Sequence, residues 1–200
     1  MKLFSNLQEQ VSANLRMRIV SGQIAPGTEF REHELAEEFG VSRGPIRDTL
    51  LTLTKEGLLH ARPNIGVRVA ELASPFKRKV IVRLRREIEN TALTTWFEHP
   101  DPVLLERLDT NLAAYKVACG GTDFPRVVEL DMMFHRTLVE SADGGSLVAL
   151  WLPVILQMLV MYSRHRNNLM ISHDEHAAIF AAMQDKDHEK ASSLLVRHIA

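Results

Sequence analysis

Four side chains in the carboxyl-terminal half of the chain have the chemistry to hold a metal ion: Asp131, His135, His176 and His198. Asp131 and His135 are four positions apart, which places them on one face of a helix. Apolar residues at helical spacing accompany each of the four, so all are predicted to face inward. One carboxylate and three imidazoles suit a divalent ion such as zinc, nickel or manganese. The alternative is a set of core histidines, each with its own hydrogen-bond partner.

A second group of residues has the chemistry to contact DNA. Ser42 opens a short predicted helix that carries Arg43 and Arg47 on one face. A different face of this helix is apolar, with Ile46, Leu50 and Leu53. Arginine can donate two hydrogen bonds to a guanine or to a phosphate, and a helix with one buried face can enter the major groove. The alternative is a solvated face on a domain that contacts only proteins.

The elements that must position these arginines form a winged helix-turn-helix. Helices are predicted at Leu7–Val20, Arg31–Phe39 and Ser42–Glu56, with a tight turn at Gly40. Short strands at Leu58–Ala61 and Gly66–Val69, joined by the turn 62–65, form a predicted hairpin. This hairpin is the wing, and it carries Arg62, Asn64, Gly66 and Arg68. These residues can lie on the phosphate backbone or reach a minor groove.

The rest of the chain is helical in pattern. We predict a DNA-binding domain at 1–70, a linker at 71–75 and an all-helical effector-binding and dimerisation domain at 76–200. Its helices are predicted at Phe76–Phe97, Pro102–Ala118, Phe124–Ala142, Ser146–Arg166, Asp174–Gln184 and Asp187–Ile199. The predicted fold class is therefore mainly α, with a winged helix-turn-helix followed by a helical bundle.

Composition narrows the class of protein. Apolar residues make up 46% of the chain and its formal net charge is −1, so a sizeable core can form and DNA binding must depend on a few placed arginines. A single cysteine, Cys119, fits a reducing cytoplasm. The most apolar run, Leu147–Tyr162, is shorter than a membrane span of about 20 residues. It also contains Pro153, so it is predicted to be a buried helix.

The segment SGQIAPGTEFREHELAEEFGVSRGPIRDTLLTLTKEGLL resembles the amino-terminal domain of GntR-family transcription regulators. The resemblance covers residues 7–70 and includes the VSR-x-P-x-R opening and the L-x-x-x-G-L-L exit of the recognition helix. It implies that Arg43 and Arg47 read bases or phosphates, that Ser42 binds phosphate, and that Asn64 and Gly66 form the wing tip. His33 stands where some members place an arginine that touches DNA, so it is a further candidate contact.

Residues 76–199 resemble the FCD effector domain of the FadR subgroup. The matching pieces are R-x-x-[IL]-E at Arg85–Glu89, ELDMMFH at Glu129–His135, EH-x-x-I at Glu175–Ile179, and His198. The resemblance implies that Asp131, His135, His176 and His198 hold the metal, with the carboxylate of a small organic acid at its open positions. It implies that Arg85 lies near that pocket as a partner of the carboxylate. Arg164 and His173 are further candidates for the pocket.

The sequence thus predicts a cytoplasmic, homodimeric transcription regulator with no catalytic residues and no membrane segment. It would bind a palindromic double-stranded DNA operator in response to the acid. One alternative is a metal-dependent hydrolase or lyase that carries a DNA-binding domain. Against it, no buried Glu or Asp is evident beside the ligands as a general base. The other alternative is an architectural DNA-binding dimer with purely structural histidines.

Overall fold

The computed structural model describes residues 2–62, 66–162 and 169–199. Its helices are α1 Lys2–Val20, α2 Glu32–Phe39, α3 Arg43–Lys55, α4 Pro75–Glu98, α5 Pro102–Cys119, α6 Phe124–Asp143, α7 Ser146–Tyr162, α8 Leu169–Gln184 and α9 His188–His198. Its strands are β1 Glu29–Phe30, β2 Leu59–Arg62 and β3 Gly66–Val69. The predicted fold class is confirmed: a winged helix-turn-helix precedes an all-helical domain.

The first three helices and the small sheet form the winged part. Ile46, Leu50 and Leu53 of α3 are buried, as their spacing predicts. Gly40 and Gly57 adopt positive φ angles of 63° and 79°, the left-handed conformation that glycine takes without steric cost and that ends a helix.

The strand β1 was not predicted from the sequence. It pairs antiparallel with β3 and makes the sheet three-stranded, in the order β1-β3-β2. Two residues are too few to show an alternating pattern, so only the pairing with β3 reveals the strand.

Four helices of the second part begin at side-chain caps. Ser74, Asp101, Asp123 and Asp187 each accept a hydrogen bond from a backbone N–H in the first turn of α4, α5, α6 and α9, respectively. Two helix starts were predicted too late, because α1 begins at Lys2 and α8 begins at Leu169. The predicted end of the seventh helix, at Arg166, lies outside the described residues.

Helix α7 is the centre of the core. Trp151, Ile155 and Leu156 are fully buried, which confirms that the apolar run forms a buried helix. It packs against α4 and α6, and also against α1 of the winged part. One hydrophobic cluster therefore runs through both parts of the molecule. No helix in the described part of the chain is long and apolar enough to cross a membrane.

Candidate metal centre and nucleic-acid interface

Three helices bring the four predicted metal ligands together. Asp131 and His135 lie on α6, His176 lies on α8, and His198 is the last residue of α9. One ligand atom from each residue lies within 4.8 Å of the others. The stripe of apolar residues on α6 turns His135 inward, and its side chain is fully buried, as is that of His176.

The three imidazoles present the same nitrogen to the centre of this cluster. Nε2 of His176 lies 3.0 Å from Nε2 of His135, and Nε2 of His135 lies 3.2 Å from Nε2 of His198. The carboxylate of Asp131 completes the group, with its Oδ1 atom 3.4 Å from Nε2 of His176.

The other ring nitrogen of each histidine faces an acceptor outside the cluster. Nδ1 of His176 donates to the backbone carbonyl of Ser172 at 2.6 Å, and Nδ1 of His198 donates to Glu175 at 2.8 Å. Nδ1 of His135 lies 2.8 Å from Oε2 of Glu89. Outer acceptors of this kind fix the tautomer and orientation of metal-binding imidazoles.

These contacts decide where the protons are. With Nδ1 protonated toward its acceptor, each Nε2 carries a lone pair, so three nitrogen lone pairs and a carboxylate converge on one point. Burial lowers the pKa of His176 to about 4, with the charge of Asp131 acting in the opposite direction. Burial also lowers the pKa of His198, and the neighbouring imidazoles of His176 and His135 add to this effect. His176 and His198 therefore do not take up protons near neutral pH, whereas a divalent cation fits the donors of the cluster.

Glu89 anchors this arrangement from α4. Its Oε1 atom accepts hydrogen bonds from Nε of Arg85 at 2.8 Å and from Nε1 of Trp151 at 2.7 Å. Burial alone would raise the pKa of Glu89, but the charge and hydrogen bond of Arg85 and the contact with His135 lower it to about 2. A buried carboxylate therefore stands behind His135, although its low pKa and its contacts with Arg85 and Trp151 do not suit a general base. The sequence showed Glu89 only as the end of a short motif, because its partners lie on other helices.

Asp131 is held by a hydroxyl network that the sequence did not reveal. The hydroxyl of Tyr115, on α5, lies 3.4 Å from Oδ1 of Asp131 and 2.9 Å from Oγ of Ser172. Burial and the charge of Asp131 raise the pKa of Tyr115, so this phenol stays protonated and can donate. His173 lies next to this network but outside the cluster. It is buried, its Nδ1 atom lies 3.0 Å from Asp174, and it is not one of the four clustered ligands.

A cavity of about 250 Å³ opens beside the cluster, between α8 and α9. Its lining includes His198 itself, together with Glu175 and Arg197. Arg197 was not predicted, although it immediately precedes a candidate ligand. Arg164, a candidate from the sequence, lies outside the described residues.

Arg85 is buried next to the cluster and does not line this cavity. It bonds Glu89 through Nε and the sulfur of Met158 through Nη1 at 3.3 Å. Its Nη2 is buried and has no hydrogen-bond partner among the residues that the structure describes. Arg85 also contributes to the lowered pKa of His176 and His198, after the larger effect of burial. The guanidinium of Arg85 therefore lies close to the histidines, and its Nη2 atom has no hydrogen-bond partner among the described residues.

The predicted DNA contacts share the exposed surface of α2 and α3. Ser42, Arg43 and Arg47 are all exposed at the start of the recognition helix. Ser42 occupies the cap position but its hydroxyl accepts no capping hydrogen bond. Arg47 forms an ion pair with Glu32 of α2. His33 is also exposed on α2, with its Nε2 atom 4.0 Å from Glu34.

The wing is described in part. Gly66 is exposed and has a φ of 106°, a conformation that favours glycine. Arg68 pairs with Glu29 across the β1–β3 register. Asn64 and the side chain of Arg62 lie outside the described residues, so their predicted contacts with DNA stay predictions.

Comparison with known proteins decides the family. Residues 7–69 match the bacterial regulatory proteins of the gntR family, and residues 80–200 match the FCD domain. The chain is a GntR-family transcription regulator of the FadR subgroup.

Two curated relatives are transcriptional repressors by name. The probable D-xylose utilization operon transcriptional repressor of Paenarthrobacter nicotinovorans is 25% identical to the regulator over 202 residues, or 98% of this chain and 87% of the relative. The HTH-type transcriptional repressor RspR of Escherichia coli is 26% identical over 196 residues, or 96% of this chain and 86% of the relative. The solved structure of E. coli McbR/YncC shares the fold, with a TM-score of 0.84 and 23% identity over 96% of this chain and 93% of that one.

Proposed function

We propose that the regulator is a metal-dependent sensor of a small organic acid that controls its own binding to a DNA operator. Asp131, His135, His176 and His198 would hold the divalent metal, and the acid would bind beside it. The single observation that supports this most strongly is the convergence of the three Nε2 atoms, each backed by an acceptor on Nδ1. A bound metal would supply a positive charge with open positions for a carboxylate.

The surroundings of the cluster suit an anion. The cavity of about 250 Å³ beside His198 has room for a molecule of a few carbon atoms, and Arg197 lies at its wall. On the buried side of the cluster, outside the lining of this cavity, Nη2 of Arg85 offers a further donor without a partner among the described residues. An unpaired buried donor costs free energy, and a carboxylate that accepted from it would recover that cost. Zinc and nickel suit the imidazoles, while the single carboxylate also admits manganese.

Helix α7 offers a route from this site to the DNA-binding surface. At one point it donates from Trp151 to Glu89, which lies behind His135. Further along, Gln157 lies so close to Gly57 that a β-carbon on the glycine would be 2.9 Å from Nε2 of Gln157. Gly57 follows the end of the recognition helix α3. An acid that binds one arrangement of α7 better than another would therefore change the placement of α3.

We infer that two chains act together on a palindromic double-stranded operator. One recognition helix reads only a few base pairs, and a two-fold dimer places two helices one helical turn of DNA apart. The predicted reading set is Ser42, Arg43 and Arg47 on α3, His33 on α2, and Arg62, Asn64 and Gly66 in the wing. We divide the chain at residues 71–75 into its DNA-binding and effector-binding parts, and expect it to act on DNA in the cytoplasm.

Metal analysis tests this proposal. Protein purified without chelators should contain about one equivalent of a divalent metal, and His135→Ala should contain far less, because it removes a buried ligand. His99→Ala, which removes an exposed histidine, is the matched control. Full metal content in His135→Ala would refute the site.

A thermal-shift screen of small carboxylic acids tests the proposed effector. An acid that binds should raise the melting temperature of the wild type, and EDTA should abolish this increase.

The enzyme alternative has less support. A metal-dependent hydrolase needs a base that can accept a proton near neutral pH. Glu89 is the fully buried carboxylate nearest the ligands, but its pKa of about 2 and its contacts with Arg85 and Trp151 make it a poor base. We therefore propose that the site binds an acid without converting it. Turnover of a bound acid by the metal-loaded protein would contradict this.

A further inference from the structure

Arg47 is held in a defined orientation by a residue that the DNA-binding prediction did not include. Its Nε atom donates to Oε1 of Glu32 at 3.1 Å, and its Nη2 atom donates to Oε2 of the same carboxylate at 3.0 Å. Glu32 is the first residue of α2, fifteen positions before Arg47. The carboxylate of Glu32, on α2, thus accepts two hydrogen bonds from one side of the guanidinium of Arg47, on α3.

This side-on arrangement leaves the outer end of the guanidinium free. A guanidinium has five N–H donors, one on Nε and two on each terminal nitrogen. Glu32 accepts one from Nε and one from Nη2, so Nη1 and the second hydrogen of Nη2 remain. These remaining donors form a planar fork, which is the geometry that binds O6 and N7 of guanine.

The pair contributes little to holding the fold together. The side chain of Arg47 is 70% exposed and that of Glu32 is 36% exposed. Exposed ion pairs have small effects on stability because water screens the charges and two side chains lose freedom. A bidentate contact on the DNA-binding surface therefore has its main consequence in how Arg47 is aimed.

Arg43 provides a contrast on the same helix. It is exposed and has no hydrogen-bond or ion-pair partner within the described ranges of the chain. An arginine without a partner can donate hydrogen bonds to a phosphate in many geometries, whereas reading a base requires the guanidinium to have a fixed plane and direction. The two arginines at the start of α3 thus differ, because Arg43 has no hydrogen-bonded partner in the described part of the chain and Arg47 is oriented by Glu32.

We propose that Glu32 is a positioning residue that aims the free fork of Arg47 at a guanine in the major groove. The proposal rests on the proposed role of Arg47 as a base-reading residue. Glu32 stays ionised as it does so, because the hydrogen bonds from Arg47 lower its pKa. Its negative charge also repels DNA phosphates. The charge therefore weakens DNA binding at sites where no guanine accepts hydrogen bonds from Arg47.

Selection of binding sites from a pool of randomised DNA duplexes tests this role. Glu32→Ala should keep the same overall motif but lose the guanine preference at one position of each half-site, on the order of tenfold. Its affinity for duplexes of random sequence should stay equal or rise, since a negative charge is removed. Glu32→Gln should retain part of the preference, because the amide oxygen still accepts one hydrogen bond from Arg47.

Glu37→Ala is the matched control. Glu37 is an exposed carboxylate on the same helix, α2, and no side-chain hydrogen bond or ion pair joins it to a described residue of α3. This variant should select the wild-type motif, and both alanine variants should melt at the same temperature as the wild type. A motif unchanged in Glu32→Ala, or equal losses in the two alanine variants, would overturn the proposal.

Arg47→Ala separates failure of this inference from failure of the proposed function. If Arg47→Ala loses the guanine preference and Glu32→Ala keeps it, Arg47 reads the base and only the role of Glu32 is wrong. If Arg47→Ala itself keeps the preference, the base-reading role of Arg47 is wrong and the inference falls with it. In the Arg47→Ala background, Glu32→Ala should cause no further change in the motif, because the side chain it aims is gone.

Discussion

At the scale of single residues, Glu89 connects the groups that would bind the metal and the acid. It lies within 2.8 Å of His135 and of Arg85, and it accepts a hydrogen bond from Trp151. A buried carboxylate of this kind increases the basicity of the imidazole that it contacts and fixes its plane. The chemistry of the site therefore depends on a residue that would touch neither metal nor acid.

Replacement of Glu89 tests this dependence. We expect Glu89→Gln to weaken metal binding by about 10- to 100-fold, since the outer partner of His135 loses its charge. The variant should also unfold more easily, because Arg85 remains buried without its carboxylate. Glu87→Gln, an exposed position on the same helix, is the control. Titration with a competing chelator measures the affinity, and equal affinities in the two variants would show that Glu89 has no such role.

The buried histidines predict how stability changes with pH in the metal-free protein. Folding lowers the pKa of His176 from 6.5 to about 4, chiefly by burial. Between these values the unfolded chain binds more protons than the folded one, so stability falls as the pH falls from 6.5 toward 4. The full shift corresponds to roughly 3 kcal/mol, and the lowered pKa of His198 adds to the loss in the same direction.

Urea unfolding in EDTA at pH 7.5 and pH 5 measures this effect. The wild type should lose stability by about 2 kcal/mol or more over this interval. His176→Gln should lose less, since its amide does not titrate. A wild type whose stability is the same at both pH values would contradict the assigned protonation states.

At the scale of elements, α7 does more than fill the core. Its residues contact Glu89 and Arg85 at the candidate metal centre, and the end of the Gln157 side chain lies near Gly57 where the recognition helix ends. Gly57 has a φ of 79°, a backbone conformation that favours glycine, and a β-carbon there would also meet Nε2 of Gln157.

A pair of substitutions separates these two requirements. Gly57→Ala should destabilise the protein by about 1–3 kcal/mol from the strained backbone, with an added cost from the contact with Gln157. In a Gln157→Ala background the same change should cost less, because the contact is gone and only the strain remains. Thermal unfolding of the four proteins gives both values. Strictly additive effects would mean that the side chain of Gln157 does not press on this turn.

At the scale of the whole molecule, the winged part is not connected to the bundle by a linker alone. Helix α1 packs on α6 and α7, and the hydrophobic cluster is continuous between the two parts. Residues 71–75 join the two parts along the chain. The packing supplies a more direct contact, since α6 carries two of the candidate ligands and touches the winged part.

Hydrogen exchange tests whether this contact transmits a signal. Addition of zinc to the metal-free protein should change the exchange of amides at the end of α3, residues 53–59, as well as around the ligands. Gln157→Ala should keep zinc binding but show a smaller change at residues 53–59. Zinc binding with protection confined to α6, α8 and α9 would mean that the two parts respond independently.

Residue types and their spacing were enough to predict the winged helix-turn-helix, the helical second part, the arginines of α3 and the four candidate ligands. These features depend on periodicity, caps and local spacing, which are properties of neighbouring residues. The folded chain was needed to see which imidazole nitrogen faces the centre, that Glu89 stands behind His135, and that Glu32 pairs with Arg47. Each of these depends on atoms brought together from different helices, such as His135 and His198, which are 63 positions apart. Local spacing places a side chain on a face, but the packing of helices decides which faces meet.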